Sequence, residues 1–252
     1  VTPDPLVARL RAAGCVFAEA EARLLREAAT GAELEALVRR RVDGEPLETI
    51  LGWAEFAGLR VAVAPGVFVP RVRSELLVDL ASDGLAPGDI VVELCCGVGA
   101  IAAALAHRVP GIELWASDID LDAVAVARRN LPPERVLEGD LFDALPPELR
   151  GRIDVLVANA PYVPTDEIAY MPSEARDYEH LVALDGGPDG HAIQARIAVE
   201  CSEWLAPSAR VIIETSRRQA GRTASLLSDQ GLRTRIHRDD ERDGTAVVGR
   251  AT

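Results

Sequence analysis

From residue 90 onward the chain alternates short apolar runs with amphipathic stretches, and this alternation restricts its possible folds more than any other feature. Segments 90–94, 112–116, 136–137, 153–157 and 211–213 read as strands. Segments 101–107, 121–130, 192–205 and 217–227 read as helices. A helix between two strands lets the second return parallel to the first. The pattern therefore predicts an α/β fold, a Rossmann-like doubly wound sheet with helices on both faces. Two closing strands, 233–237 and 246–249, have no helix between them and predict an antiparallel edge.

The first 50 residues read as short helices. Leu6, Val7 and Leu10 form one apolar stripe, Leu24, Leu25 and Ala28 a second. After a break at Thr30-Gly31, Leu34, Leu37 and Val38 form a third, and Gly44 and Pro46 stop the pattern. Arg39-Arg40-Arg41 falls at a helix end, where cations suit the helix dipole. Residues 53–63 alternate around Gly58 and predict a β-hairpin. Ser74 is placed to cap a helix carrying Leu76, Leu77 and Leu80. Three parts are expected: a helical domain at 1–50, a hairpin linker at 51–70 and a catalytic domain at 71–252.

Apolar residues make up 48% of the 252, enough for a sizeable core, but aromatics only 4%, so aliphatic side chains must fill it. The net charge of −13 disfavours phosphate backbones, so direct nucleic-acid binding is not expected. Cys15, Cys95, Cys96 and Cys201 and the four scattered histidines show no metal-ligand spacing, and no metal is expected. No apolar run reaches about 18 residues and no signal-peptide pattern opens the chain, which predicts a cytoplasmic protein without a membrane span.

Glu93-Leu94-Cys95-Cys96-Gly97-Val98-Gly99 sits where the first sheet strand meets its helix. Glycines there allow a ligand close to the backbone. Asp118, with Ile119 beside it, ends the next strand and suits ribose hydroxyls. Gly97 to Ala102 also fits the dinucleotide fingerprint G-x-G-x-x-A, so a nicotinamide oxidoreductase competes. Glu93 favours a different ligand. A carboxylate before the loop repels a pyrophosphate and attracts the ammonium group of a methionine moiety. Its bland alternative is to cap a nearby amide. Asp140 and Leu141, after the third strand, are candidates for the edge and face of an adenine.

Asn159-Ala160-Pro161-Tyr162 follows the fourth strand, on the ligand-binding edge of a parallel sheet. A planar amide or amine nitrogen is a weak nucleophile. The Asn159 side-chain oxygen and the Ala160 carbonyl could accept its two N–H bonds, while Tyr162 packs on the planar group. Its lone pair then faces the methyl carbon of a sulfonium, and positioning supplies much of the rate. A plain turn is the alternative reading.

With these residues in place, the chain resembles the HemK-like, or PrmC-like, family of protein-(glutamine-N(5)) methyltransferases. Further stretches carry the likeness: 40–41, 44–47, 50–52, 55–59, 68–71, 75–77, 174–179 and 183–190. The resemblance implies a class I methyltransferase fold, S-adenosylmethionine as donor and S-adenosylhomocysteine as product. It implies donor contacts at Cys95, Cys96, Gly97, Val98 and Gly99, then Asp118, Leu141 and Asn159, beside which Glu93, Ile119 and Asp140 stand as further candidates from their own chemistry and place. It implies the Gly-Gly-Gln glutamine of a peptide-chain release factor as acceptor, held at 159–162, with the N-terminal helices recognising the protein. The chain departs from the family at Ala160, where Pro is usual, and at Thr49, Arg73 and His180. A base amino-methyltransferase, a methyltransferase of another protein or small molecule, and a non-catalytic binding module remain the alternatives.

Overall fold

The computed structural model describes residues 4–251. Helix α1 (Pro5–Ala12) opens at Asp4, whose side chain accepts the Leu6 amide at 2.9 Å, with Pro5 supplying a preset φ at the first position. α2 (Ala18–Ala28), α3 (Gly31–Val42) and α4 (Leu47–Leu51) complete the helical unit. Their shared core is small: Leu10, Ala18, Ala22, Leu25, Val38 and Ile50 among others. The second apolar stripe is displaced from expectation, with Ala18, Ala22 and Leu25 buried and Ala28 exposed. The short α4, between Pro46 and Gly52, has too few residues to show a periodic signal. Arg39 and Arg40 sit in the last turn of α3 as expected, but Arg41 turns inward.

Strands β1 (Trp53–Phe56) and β2 (Leu59–Ala62) form the expected hairpin. Ala57 and Gly58 both have positive φ, +49° and +79°, as a two-residue turn matching strand twist requires. Helix α5 (Glu75–Ser82) corrects one expectation. A 3₁₀ turn, Val72–Ser74, runs straight into it, so Ser74 is already helical and makes no side-chain cap bond.

The main sheet contains β3 (Ile90–Leu94), β4 (Glu113–Asp118), β5 (Val136–Glu138), β6 (Ile153–Ala158), β7 (Leu205–Glu214), β8 (Arg233–Asp239) and β9 (Gly244–Arg250). Helices α6 (Ala100–Arg108), α7 (Leu121–Asn130), α8 (Ser173–Arg176), α9 (Ala192–Cys201) and α10 (Ala220–Ser228) lie in the connections. The strand order is β5-β4-β3-β6-β7-β9-β8. The first five are parallel, and the antiparallel edge is the pair β9–β8. Expected helix 192–205 stops at Cys201, and β7 starts at Leu205 in pairing with Ile153.

Alternate strand residues face opposite layers. Val91, Val155, Val157 and Ile212 pack with α5, α6, α7 and the hairpin. Val92, Leu94, Leu156 and Ile213 pack with α9 and α10. The chain winds outward from β3 through β4 to β5, then returns to β6 on β3's other side. The loops after β3 and β6 therefore part at the switch point, where such sheets bind ligands. Among the described residues no helix is long and apolar enough to cross a membrane.

Candidate active site

The loop after β3 is held in a conformation that few residues adopt. Cys95, Gly97 and Gly99 have φ of +53°, +53° and +73°. A Cβ at Gly99 would lie 2.7 Å from Leu131 Cδ1, whereas one at Gly97 would meet open space. Asp118 Oδ2 accepts the Gly97 amide at 2.7 Å, and its Oδ1 accepts the Asp120 amide at 2.9 Å. Asp118 thus shapes the loop from inside. One Glu93 oxygen accepts the Ala102 amide at 2.8 Å, so the capping role is real, yet the residue also lines the cavity. Burial lifts its carboxyl to about 8 and raises that of Asp118 as well. Cys95 and Cys96 are free thiols pushed well up by burial, small residues of a tight turn rather than nucleophiles. Val98 is buried beneath the loop and Ile119 is exposed at the cavity mouth.

Asp140 and Leu141 also reach this cavity. Asp140 is held in a bidentate pair by Arg196 of α9, 3.0 Å at both contacts. Leu141 takes φ +49° and is 5% exposed, packed into the core layer below. Its contribution to the ligand side is therefore a small part of its surface.

After β6 the tetrapeptide is braced from three directions. Asn159 Nδ2 donates to Ser74 Oγ at 3.3 Å, which is the use the serine has in place of capping. Tyr162 donates its hydroxyl to Glu214 Oε1 at 3.1 Å, and the Tyr162 carbonyl accepts from Gln219 Nε2 at 2.8 Å. Arg73 Nε donates to the same Glu214 oxygen at 3.3 Å. Among the described residues no donor claims Asn159 Oδ1 or the Ala160 carbonyl. Gly190 lies where a Cβ would come within 2.3 Å of the Tyr162 carbonyl, and Gly186 where one would come within 2.7 Å of the Tyr162 Cα. Backbone contact this close explains both glycines.

These loops enclose one cavity of about 190 Å³, lined by Glu93, Gly97, Asp118, Asp140, Asn159 and Tyr162 among others. Glu93, Asp118, Asp120 and Asp140 face it, while its two guanidiniums, Arg73 and Arg196, are each committed to a carboxylate. A wall of acids with no free guanidinium, beside an open Gly97, suits a cationic methyl donor better than a dinucleotide's pyrophosphate. Comparison with known proteins places the chain among methyltransferases. The profile of the methyltransferase small domain matches residues 58–174. The release factor glutamine methyltransferase of Streptomyces coelicolor is 38% identical over 200 residues, 77% of this chain and 71% of that one. That of Bradyrhizobium diazoefficiens is 32% identical over 253 residues, 90% and 85% of the two chains. The chain belongs to the release factor glutamine methyltransferase family. A methyltransferase from Pyrococcus furiosus shares the fold, with TM-score 0.58 at 16% identity over 77% of this chain and 89% of that one.

Several features of this family member escaped the sequence. Glu214, 1% exposed, joins Tyr162 and Arg73, and burial raises its carboxyl while its Oε2 lacks a partner. It is the last residue of β7, a strand end at the ligand edge, which was the available signal. The segment 163–190 forms a strap. Glu179 accepts from the Val69 amide at 3.1 Å and Arg71 at 2.6 Å. His180 meets Asp120 at 2.7 Å, with Asp122 nearby at 3.9 Å, bringing together residues that showed no spacing along the chain. Arg41, 8% exposed, pairs with Glu21 and with Glu174 of α8, both at 2.6 Å, tying the helices to the strap.

Proposed function

We propose that this chain transfers a methyl group from S-adenosylmethionine to the side-chain amide nitrogen of a glutamine in a peptide-chain release factor. The observation that carries the reading is the pair of unclaimed acceptors, Asn159 Oδ1 and the Ala160 carbonyl, on a loop where Asn159 Nδ2, the Tyr162 hydroxyl and the Tyr162 carbonyl are already engaged. Ser74 takes the Asn159 NH₂, which leaves the oxygen of this cavity-lining residue without a protein donor. A primary amide has two N–H bonds, and two fixed acceptors set its plane and its rotation. Tyr162, anchored through Glu214, provides a flat wall for that plane. Its hydroxyl is pushed further up by burial and stays protonated, so it acts as a wall and a hydrogen-bond donor rather than as a base.

The donor supplies an electrophilic methyl carbon on a sulfonium. Glu93, Asp118 and the loop 95–99 are the residues placed to hold it, with Ile119, Asp140 and Leu141 at its far end. Near-attack positioning of this kind is worth several orders of magnitude in rate. The buried Ala160 keeps the carbonyl even though the ring of a proline is absent, since the loop's rigidity comes from Gln219, Gly186 and Gly190. The reading places the enzyme in the cytoplasm, where release factors work.

The test is mass spectrometry of a purified release factor incubated with this protein and the donor. One added methyl on the Gly-Gly-Gln glutamine is expected, lost on Asn159→Ala while donor binding stays detectable by calorimetry. Donor binding without any methylated glutamine would remove the acceptor from the proposal.

A further inference from the structure

At the other end of β7 the sheet has a basic pocket with no part in methyl transfer. The registers Arg210↔Arg250 and Arg250↔Arg233 set three arginines abreast across β7, β9 and β8. Like charges directly opposite on a sheet destabilise it. Arg235 and His237 continue the row along the same face of β8. Together they line a surface cavity of about 150 Å³ that also includes Asp83. Arg210 precedes Glu214 by four residues, so the pocket lies roughly 13 Å along the strand from the methyl-transfer end.

All 27 basic residues are Arg, against 40 acids, so a carboxylate is usually at hand. Arg233, Arg235 and Arg250 nevertheless form no ion pair among the described residues. Arg210, 7% exposed, donates to the Leu80 and Ala81 carbonyls at 2.9 and 3.0 Å, and burial together with Arg250 weakens its hold on its proton. Asp83 and Asp89 are the acids that act on it. Four guanidiniums against two carboxylates leave two positive charges. His237 is held toward its neutral form by burial, Arg235 and Arg250. A chain that is otherwise strongly acidic keeps this repulsion unrelieved.

We propose that the pocket is a binding site for a phosphate group. A tetrahedral dianion matches the two uncompensated charges, and guanidinium forks pair phosphate oxygens two at a time. The phosphate is either a free ion or one carried on a larger molecule such as an oligonucleotide.

The full chain, titrated with inorganic phosphate against chloride at matched ionic strength, tests this. Nuclear magnetic resonance of the His237 ring should show its titration moving to higher pH with phosphate and not with chloride. The melting temperature should rise with phosphate. In Arg233→Gln/Arg235→Gln both responses should weaken by roughly tenfold or more in phosphate concentration, while donor binding stays unchanged. The same variant without phosphate should melt no lower than the wild type, since it relieves repulsion. A short oligonucleotide that displaces phosphate at lower concentration identifies the carried form, and failure to displace it identifies the free ion. Equal effects of phosphate and chloride, or an undiminished response in the variant, would overturn the proposal.

Discussion

Glu93→Gln should make the unliganded protein more stable, by an amount that grows with pH. Glu93 is 2% exposed, and burial lifts its carboxyl from an ordinary 4.5 to about 8. A group whose folded value is raised contributes stability that is complete below the unfolded value and is lost as pH rises through the folded one. For these two values the loss is about 1 kcal/mol by pH 5, about 3 kcal/mol by pH 7 and about 5 kcal/mol by pH 9. Glutamine keeps an oxygen for the Ala102 amide and does not titrate, so the variant escapes the loss. The stability difference between the two proteins should therefore climb along that curve, above a constant offset from the new amide. Urea unfolding at each pH, compared pairwise, measures it. A difference that stays flat within about 1 kcal/mol from pH 5 to 9 would refute the assignment of a buried, protonated Glu93. Donor affinity should move the other way. It should tighten from pH 6 to 8.5 in the wild type, with proton release visible by calorimetry, and be weaker and less pH-dependent in the variant.

Arg41→Ala leaves Glu21 buried without its guanidinium and should cost about 3 kcal/mol in urea unfolding. Gly190→Ala forces a Cβ against the Tyr162 carbonyl at a φ of +75°. We expect kcat/KM for methyl transfer to fall on the order of 100-fold with donor binding by calorimetry little changed. Tyr162→Phe keeps the ring but removes a hydrogen bond from Glu214, whose other oxygen already lacks a partner. It should cost about 1 kcal/mol in thermal or urea unfolding and leave most of the transfer rate.

What could be read from the residues alone follows from how local each signal is. The strand and helix alternation from residue 90 depends on periodicity within single elements, and it survives in β3, β4, β6, α6 and α7 with shifts of a residue or so. The glycine loop and the tetrapeptide were legible because their chemistry is contiguous. The rest of the site is assembled across the chain. Ser74 reads as a helix cap until Asn159, 85 residues away, is brought beside it. Glu214 and Arg73 are 141 residues apart, and His180 and Asp120 are 60 apart. No window along the sequence contains such pairs. The helical pattern of 192–205 runs past the helix end because β7 opens with Leu205 and Ala206, apolar residues that continue it until strand pairing overrides it.

The clamp made by Arg41 bears on how such a chain can change over time. Its guanidinium sits between Glu21 of the helical unit and Glu174 within the strap that follows the acceptor loop, with a third bond to the Glu45 carbonyl at 3.0 Å. Replacing the first fifty residues with a different unit would strip Glu174 of its partner unless the newcomer carried a buried cation to the same place. The helices are therefore not a detachable module that can be swapped freely onto the methyl-transferring fold. They and the strap share one guanidinium, and any substitution at Arg41 acts on both at once.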